Sequence, residues 1–152
     1  MKKNESKSQS PSESLSQSQA KALICAGAAL DKNAENIRVL DLSHVSAFTD
    51  FFVICSARSD RQVQAIADSV AGVMREKNTP ALSTEGYGEG RWVVMDLGDV
   101  VLHVFLDEIR DYYDLETLWS DAKPVTIPME LYGKAPAAPK LTRTQPGSQT
   151  RQ

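Results

Sequence analysis

Five consecutive apolar residues, Phe51-Phe52-Val53-Ile54-Cys55, stand just ahead of a helix start signal, Ser59-Asp60-Arg61-Gln62. An unbroken apolar run of this length suits a strand buried on both faces. In the start signal, Ser59 caps the helix and Gln62, three residues on, completes a capping box. Val63, Ile66, Ala67, Val70 and Met74 then recur on one face, which predicts an amphipathic helix from Asp60 to Lys77, ended by Asn78 and Pro80. Neither element can bury its apolar surface alone, so a sheet with helices packed against it is the natural architecture.

The flanking sequence extends the pattern. Ala20, Leu23, Ile24, Gly27 and Ala28 fall at helical spacing, with Ser16 or Ser18 available as an N-cap. Small residues on that stripe favour close packing on a sheet. Ile37 to Leu42 reads as a strand. Gly86-Tyr87-Gly88-Glu89-Gly90 reads as a flexible loop, and Trp92 to Leu97 and Val100 to Leu106 as a hairpin joined at Gly98-Asp99. Ile109, Tyr112, Leu115, Leu118 and Trp119 give a closing helix. The expected fold class is α/β, a single mixed sheet with packed helices in the order α-β-β-α-β-β-α.

Charge divides the 152 residues into three parts. Residues 20–122 hold 9 Lys and Arg against 17 Asp and Glu, a net of −8, while residues 1–19 carry +1 and residues 123–152 carry +4. An acidic body repels phosphate backbones and attracts a basic protein. Every even position from Ser6 to Ser18 is serine, and five of the seven prolines lie at or beyond Pro124. Such segments bury too little to offset their ordering entropy. The expected organisation is therefore a disordered Ser-rich tail at 1–16, a folded domain at 17–122 and a disordered Pro/Ala-rich basic tail at 123–152. The basic tail reads first as a solubilising segment, and second as a weak contact for ribosomal RNA or another polyanion.

Cys25 and Cys55 stand alone, without a CxxC or ligand-spaced histidines, which excludes a disulfide framework and a zinc ribbon. No apolar run approaches the roughly 20 residues of a membrane span, and no apolar h-region follows Lys2 and Lys3. A cytoplasmic protein without membrane contact is expected.

Tests for chemistry return little. The glycine loop has GxGxG spacing and precedes a strand, whereas a dinucleotide fingerprint needs GxGxxG opening a helix. The turn from Cys55 to Arg61 could present backbone N–H groups to phosphate, as in nucleotidyltransferases, yet no Asp-x-Asp follows to hold metal. Asp96 and Asp99 flank the Gly98 turn, so their side chains need not converge. His103 could serve a nucleophile only if Ser56 or Cys55 lay within reach. Trp92 is more telling. It shares a strand face with Val94 and Asp96, opposite the fully apolar face of Val93, Met95 and Leu97. A tryptophan on an open face, rimmed by Glu85, Asp96, Asp99 and His103, has the make-up of a binding hot spot with an acidic border, and equally of a cap on the core edge or of a subunit contact.

Three segments carry a resemblance: Thr49 to Ser56 running on to Ser59-Asp60-Arg61-Gln62-Val63, Trp92 to Phe105, and Tyr112 to Trp119, with Glu85-Gly86 between the first two. Over residues from about 17 to 122 the chain resembles the ribosomal silencing factors, the Iojap family. The resemblance implies a nucleotidyltransferase-like α/β fold without the catalytic carboxylates, no enzymatic activity and no cofactor. It implies binding to a basic protein of the large ribosomal subunit, protein fourteen, through Glu85, Trp92, Asp96, Asp99 and His103. Joining of the small subunit would thereby be blocked and translation lowered under nutrient limitation. It further implies a homodimer in the free state. Two other functions fit the same residues: a divergent nucleotide-binding enzyme using the Ser56 to Arg61 turn, and a large-subunit assembly factor.

Overall fold

The computed structural model describes residues 11–132, with side-chain surroundings for 17–131. The elements run α1 (Pro11–Leu30), β1 (Glu35–Asp41), β2 (Phe51–Ala57), α2 (Asp60–Glu76), β3 (Ser83–Glu85), β4 (Trp92–Asp96), β5 (Val100–Leu106), α3 (Asp107–Tyr113), α4 (Leu115–Leu118), β6 (Lys123–Val125) and α5 (Met129–Tyr132). Six strands make one sheet in the order β3-β4-β5-β2-β1-β6. Only β2 and β5 are parallel; every other neighbouring pair is antiparallel. The sheet is thus single and mixed, as the pattern of apolar runs required.

Why β2 lies near the centre follows from its composition. All seven of its residues are buried, because α1 and α2 cover one face and α3 and α4 reach over part of the other. On the first face Val53 and Cys55 join Val39, Val93, Met95, Val100, Leu102 and Val104 in the main core. The first half of the capping box forms, Gln62 N–H donating to Ser59 Oγ at 3.1 Å, whereas Gln62 Oε1 accepts from the N–H of Arg58, one residue ahead of the cap, at 2.9 Å. Val63, Ile66, Ala67, Val70 and Met74 of α2 all face the core. Alanines of α1, among them Ala22, Ala26 and Ala29, let that helix approach closely.

Several expectations need correction. Neither Ser16 nor Ser18 is an N-cap: α1 begins at Pro11, inside the expected tail, and proline suits a first helical position because its missing N–H would be unpaired there anyway. Ser18 is instead buried against the turn after β4, close to Asp50 and Asp99. The closing helix is two short helices, since Asp114 adopts a left-handed conformation (φ 49°) that ends α3 and starts α4. That break turns Tyr112 and Leu118 outward, 80% and 76% exposed, although their spacing suggested a common buried stripe. The fold also continues beyond the expected boundary at 122. Pro124 and its neighbours pair with Leu40 on the outer edge of β1, where a proline's missing donor is tolerated. Leu131 of α5 then packs against α1 at Gly27. Residues 1–10 and 133–152 of the two tails lie outside the described residues.

Candidate protein-binding face

The second face of the sheet is only partly covered. Leu40, Leu42, Phe52, Ile54 and Phe105 form a smaller core there beneath Ile109, Leu115 and Trp119. Toward β4 and β3 that cover runs out. Antiparallel register sets Trp92 beside Phe105, Val94 beside His103 and Asp96 beside Val101. Glu85 of β3 lies opposite Val94. Glu85, Val94, His103 and Ile54 therefore form one row across four strands, on the face that Trp92 and Asp96 share.

Trp92 is half-buried and braced on three sides. Its ring stacks on Phe105 at 4.8 Å and meets Tyr113 at 4.8 Å. Its Nε1–H donates to His103 Nδ1 at 3.1 Å. Accepting at Nδ1 places the proton of the neutral imidazole on Nε2, and that atom is buried without a hydrogen-bond partner. Leaving it so costs about 1–3 kcal/mol. His103 is 6% exposed with Phe52 at 4.6 Å, and burial pushes its pKa down to about 4. His103 thus supports the face from beneath rather than lying on its surface.

The five residues singled out from sequence do not all come together. Glu85 is exposed, and Asp96 keeps one oxygen occupied, accepting from Gly98 N–H at 2.8 Å. Asp99 points elsewhere: Lys21 Nζ donates to its Oδ1 at 2.8 Å, and Ser18 Oγ lies 2.8 Å from its Oδ2. Burial alone would raise the Asp99 pKa, but those bonds from α1 outweigh it and hold the carboxyl below its ordinary range. The alternation does break at Gly98, so Asp96 and Asp99 do not converge, and among the described residues no group of three or more His, Cys, Asp or Glu could hold a metal. The glycine loop is pinned rather than loose: Gln64 Nε2 donates to the carbonyls of Tyr87 and Gly88, and Tyr87 O–H donates to Asp68.

The remaining candidates have structural partners. Arg110 Nη1 donates to Ser56 Oγ at 2.8 Å and to the Asn36 carbonyl at 2.7 Å. Its Nε and Nη2 hold Glu116 in a bidentate pair at 3.3 and 2.6 Å. Ser56 is thereby occupied. Cys55 faces the main core, where burial pushes its thiol up to about 12 and leaves no thiolate for attack. Arg110 escaped the sequence reading, as did the place of Tyr112 and Tyr113 beside Trp92. A lone arginine in a charged stretch carries no spacing signal, Tyr112 was absorbed into a helix stripe that Asp114 interrupts, and Tyr113 entered only as part of the motif from Tyr112 to Trp119.

Comparison with known proteins agrees with this architecture. The family model described as "Ribosomal silencing factor during starvation" matches residues 15–152. A protein of Bacillus subtilis named ribosomal silencing factor RsfS is 48% identical over 99 residues, spanning 65% of this chain and 84% of its own. A mouse protein named mitochondrial assembly of ribosomal large subunit protein 1 is 32% identical over 92 residues, 59% of this chain and 40% of its own. A crystal structure of protein CV0518 from Chromobacterium violaceum superposes with a TM-score of 0.66 at 36% identity, covering 67% of this chain and 85% of that one. The chain belongs to the ribosomal silencing factor (Iojap) family.

Proposed function

We propose that this protein binds a basic protein of the large ribosomal subunit, protein fourteen, and sterically blocks the small subunit from joining. The observation that carries the reading is Trp92, braced on the uncovered part of the sheet with Glu85 and Asp96 on the same face. An aromatic anchor with an acidic border suits a basic, partly apolar partner surface. The −8 charge of residues 20–122 adds long-range attraction to such a partner. Occlusion needs no catalytic group: a folded body on an intersubunit contact excludes the other subunit from the same space. His103 enters as the support of Trp92, and Asp99 as the fastening of α1. In the free state, copies of the chain would pair.

A second reading has its own support. The mouse relative is named for assembly of the large subunit, so the same contact could serve maturation rather than silencing. Sedimentation of purified large and small subunits with and without the protein tests both. Silencing predicts travel with the large subunit and loss of the joined particle. In a parallel run with immature large subunits, travel with those particles only, leaving joining of the mature ones intact, would favour assembly. Travel with neither would overturn both readings.

A further inference from the structure

Beside Trp92 the start of β4 and the helix α3 border an open cavity of about 480 Å³ lined by Trp92, Tyr112, Tyr113, Glu89, Glu108 and Arg91, among others. We propose that this cavity seats a cationic side chain of the partner, an arginine foremost. The inference rests on the reading of the chain as a ligand of a basic ribosomal protein, and it names the chemistry of that recognition.

The argument begins with the rings. Tyr113 meets Trp92 at 4.8 Å with planes inclined by 43°, and Tyr112 stands perpendicular to Tyr113 at 5.1 Å. Three aromatic rings therefore border one space at different inclinations, and Tyr112 and Tyr113 are 80% and 50% exposed. Aromatic faces attract a cation through the ring quadrupole, and a planar guanidinium can also stack on them. Carboxylates complete the set. Glu89 and Glu108 line the same cavity, and among the described residues neither is held in an ion pair. A guanidinium can stack on a ring while directing its N–H groups to a carboxylate, whereas an ammonium is a compact charge and does this less well.

Arg91 is the one cation among the lining residues. It leaves the cavity one net negative charge, and it competes with an incoming guanidinium for the same carboxylates. Its removal should therefore strengthen binding. An anion site would behave oppositely, because Arg91 would be its anchor.

The test uses the full ¹⁵N-labelled chain and follows the Trp92 indole N–H resonance during titration with capped tetra-arginine, tetra-lysine and tetra-glutamate peptides. Tetra-arginine is expected to give a saturable shift, tetra-lysine a weaker one and tetra-glutamate none. Tyr112→Leu and Glu108→Gln should each weaken the tetra-arginine affinity at least fivefold, and Arg91→Gln should raise it. Tyr112 is mostly in water, so its loss leaves the core intact. No saturable shift, a tetra-arginine affinity in Tyr112→Leu and Glu108→Gln unchanged from the wild type, or tighter binding of tetra-glutamate would overturn the proposal. Sedimentation of the same variants with large subunits separates the two levels of argument. If the wild-type chain does not travel with the subunit, the functional reading falls while the peptide titration still decides the cavity. If it does travel, and Tyr112→Leu and Glu108→Gln travel equally well, the cavity proposal falls and the reading stands.

Discussion

Trp92 donates its indole proton to His103 across two adjacent strands, from a position diagonal to it in the register. The bond fixes both partners at once, the orientation of the indole and the tautomer of the imidazole. A tryptophan held in place before it meets a partner loses little freedom on binding, so more of its contact area counts toward affinity.

Replacing that tryptophan should separate its two contributions. Trp92→Ala is expected to weaken association with the large subunit by roughly 2 kcal/mol or more, about thirtyfold. Trp92→Phe keeps a ring on Phe105 but loses the bond to His103, and should fall between the two. Co-sedimentation across a concentration series measures both.

Burial of His103 gives stability a pH dependence of definite sign. The native pKa lies at about 4 and the ordinary value at 6.5, so the unfolded chain takes up the proton first as pH falls. Stability from this group is complete above pH 6.5 and is lost progressively down to about 4, a total of ~3 kcal/mol. Urea unfolding of the wild type and His103→Leu over that range should show a steeper slope in the wild type. Equal slopes would mean that His103 is solvated.

Gly86 offers a backbone test of the same face. Its φ is +83°, and an added Cβ would stand 2.1 Å from the carbonyl oxygen of Trp92. Gly86→Ala should cost more than about 2 kcal/mol through left-handed strain and the clash. The beginning of β4 must shift to relieve it, so ribosome binding should fall along with the urea midpoint.

Arg110→Met should destabilise the fold by about 2–3 kcal/mol, read from urea unfolding. It strands Ser56 and the Asn36 carbonyl and leaves Glu116 only the looser pairing with Arg38 Nη1 at 3.7 Å. A fully buried pair would cost roughly 3–5 kcal/mol when broken, but Glu116 retains 23% exposure and partial hydration. The Glu116 carboxyl, now held below its ordinary pKa chiefly by the Arg110 hydrogen bond, should titrate at higher pH in the variant.

Much of this architecture was legible because periodicity reports burial. The run from Phe51 to Cys55 marked a central strand, the Ser59 and Gln62 pair marked a helix start, and Gly98-Asp99 marked a hairpin. Trp92 was placed on the correct face by alternation alone. The sequence was silent where structure depends on a single backbone conformation or on distant partners. Asp114 breaks a helix through one left-handed residue, and no periodicity announces that. Asp99 looked like a neighbour of Asp96, yet Lys21 and Ser18 of a distant helix hold it. Strand β6 is three residues containing a proline, too short to show a period, and it exists because β1 offers an edge.

That edge pairing bears on the order in which the molecule can be made. The central parallel pair joins Phe51 to Val100, and the outer pair joins Val39 to Val125, so most of the chain must be present before the sheet is complete. Non-local pairings of this kind close slowly, since loop entropy is lost before the contacts form. During synthesis β1 waits with its outer edge open until Lys123 to Val125 have left the exit tunnel. The sheet is therefore closed from its β6 edge only after the four strands of its centre have been made.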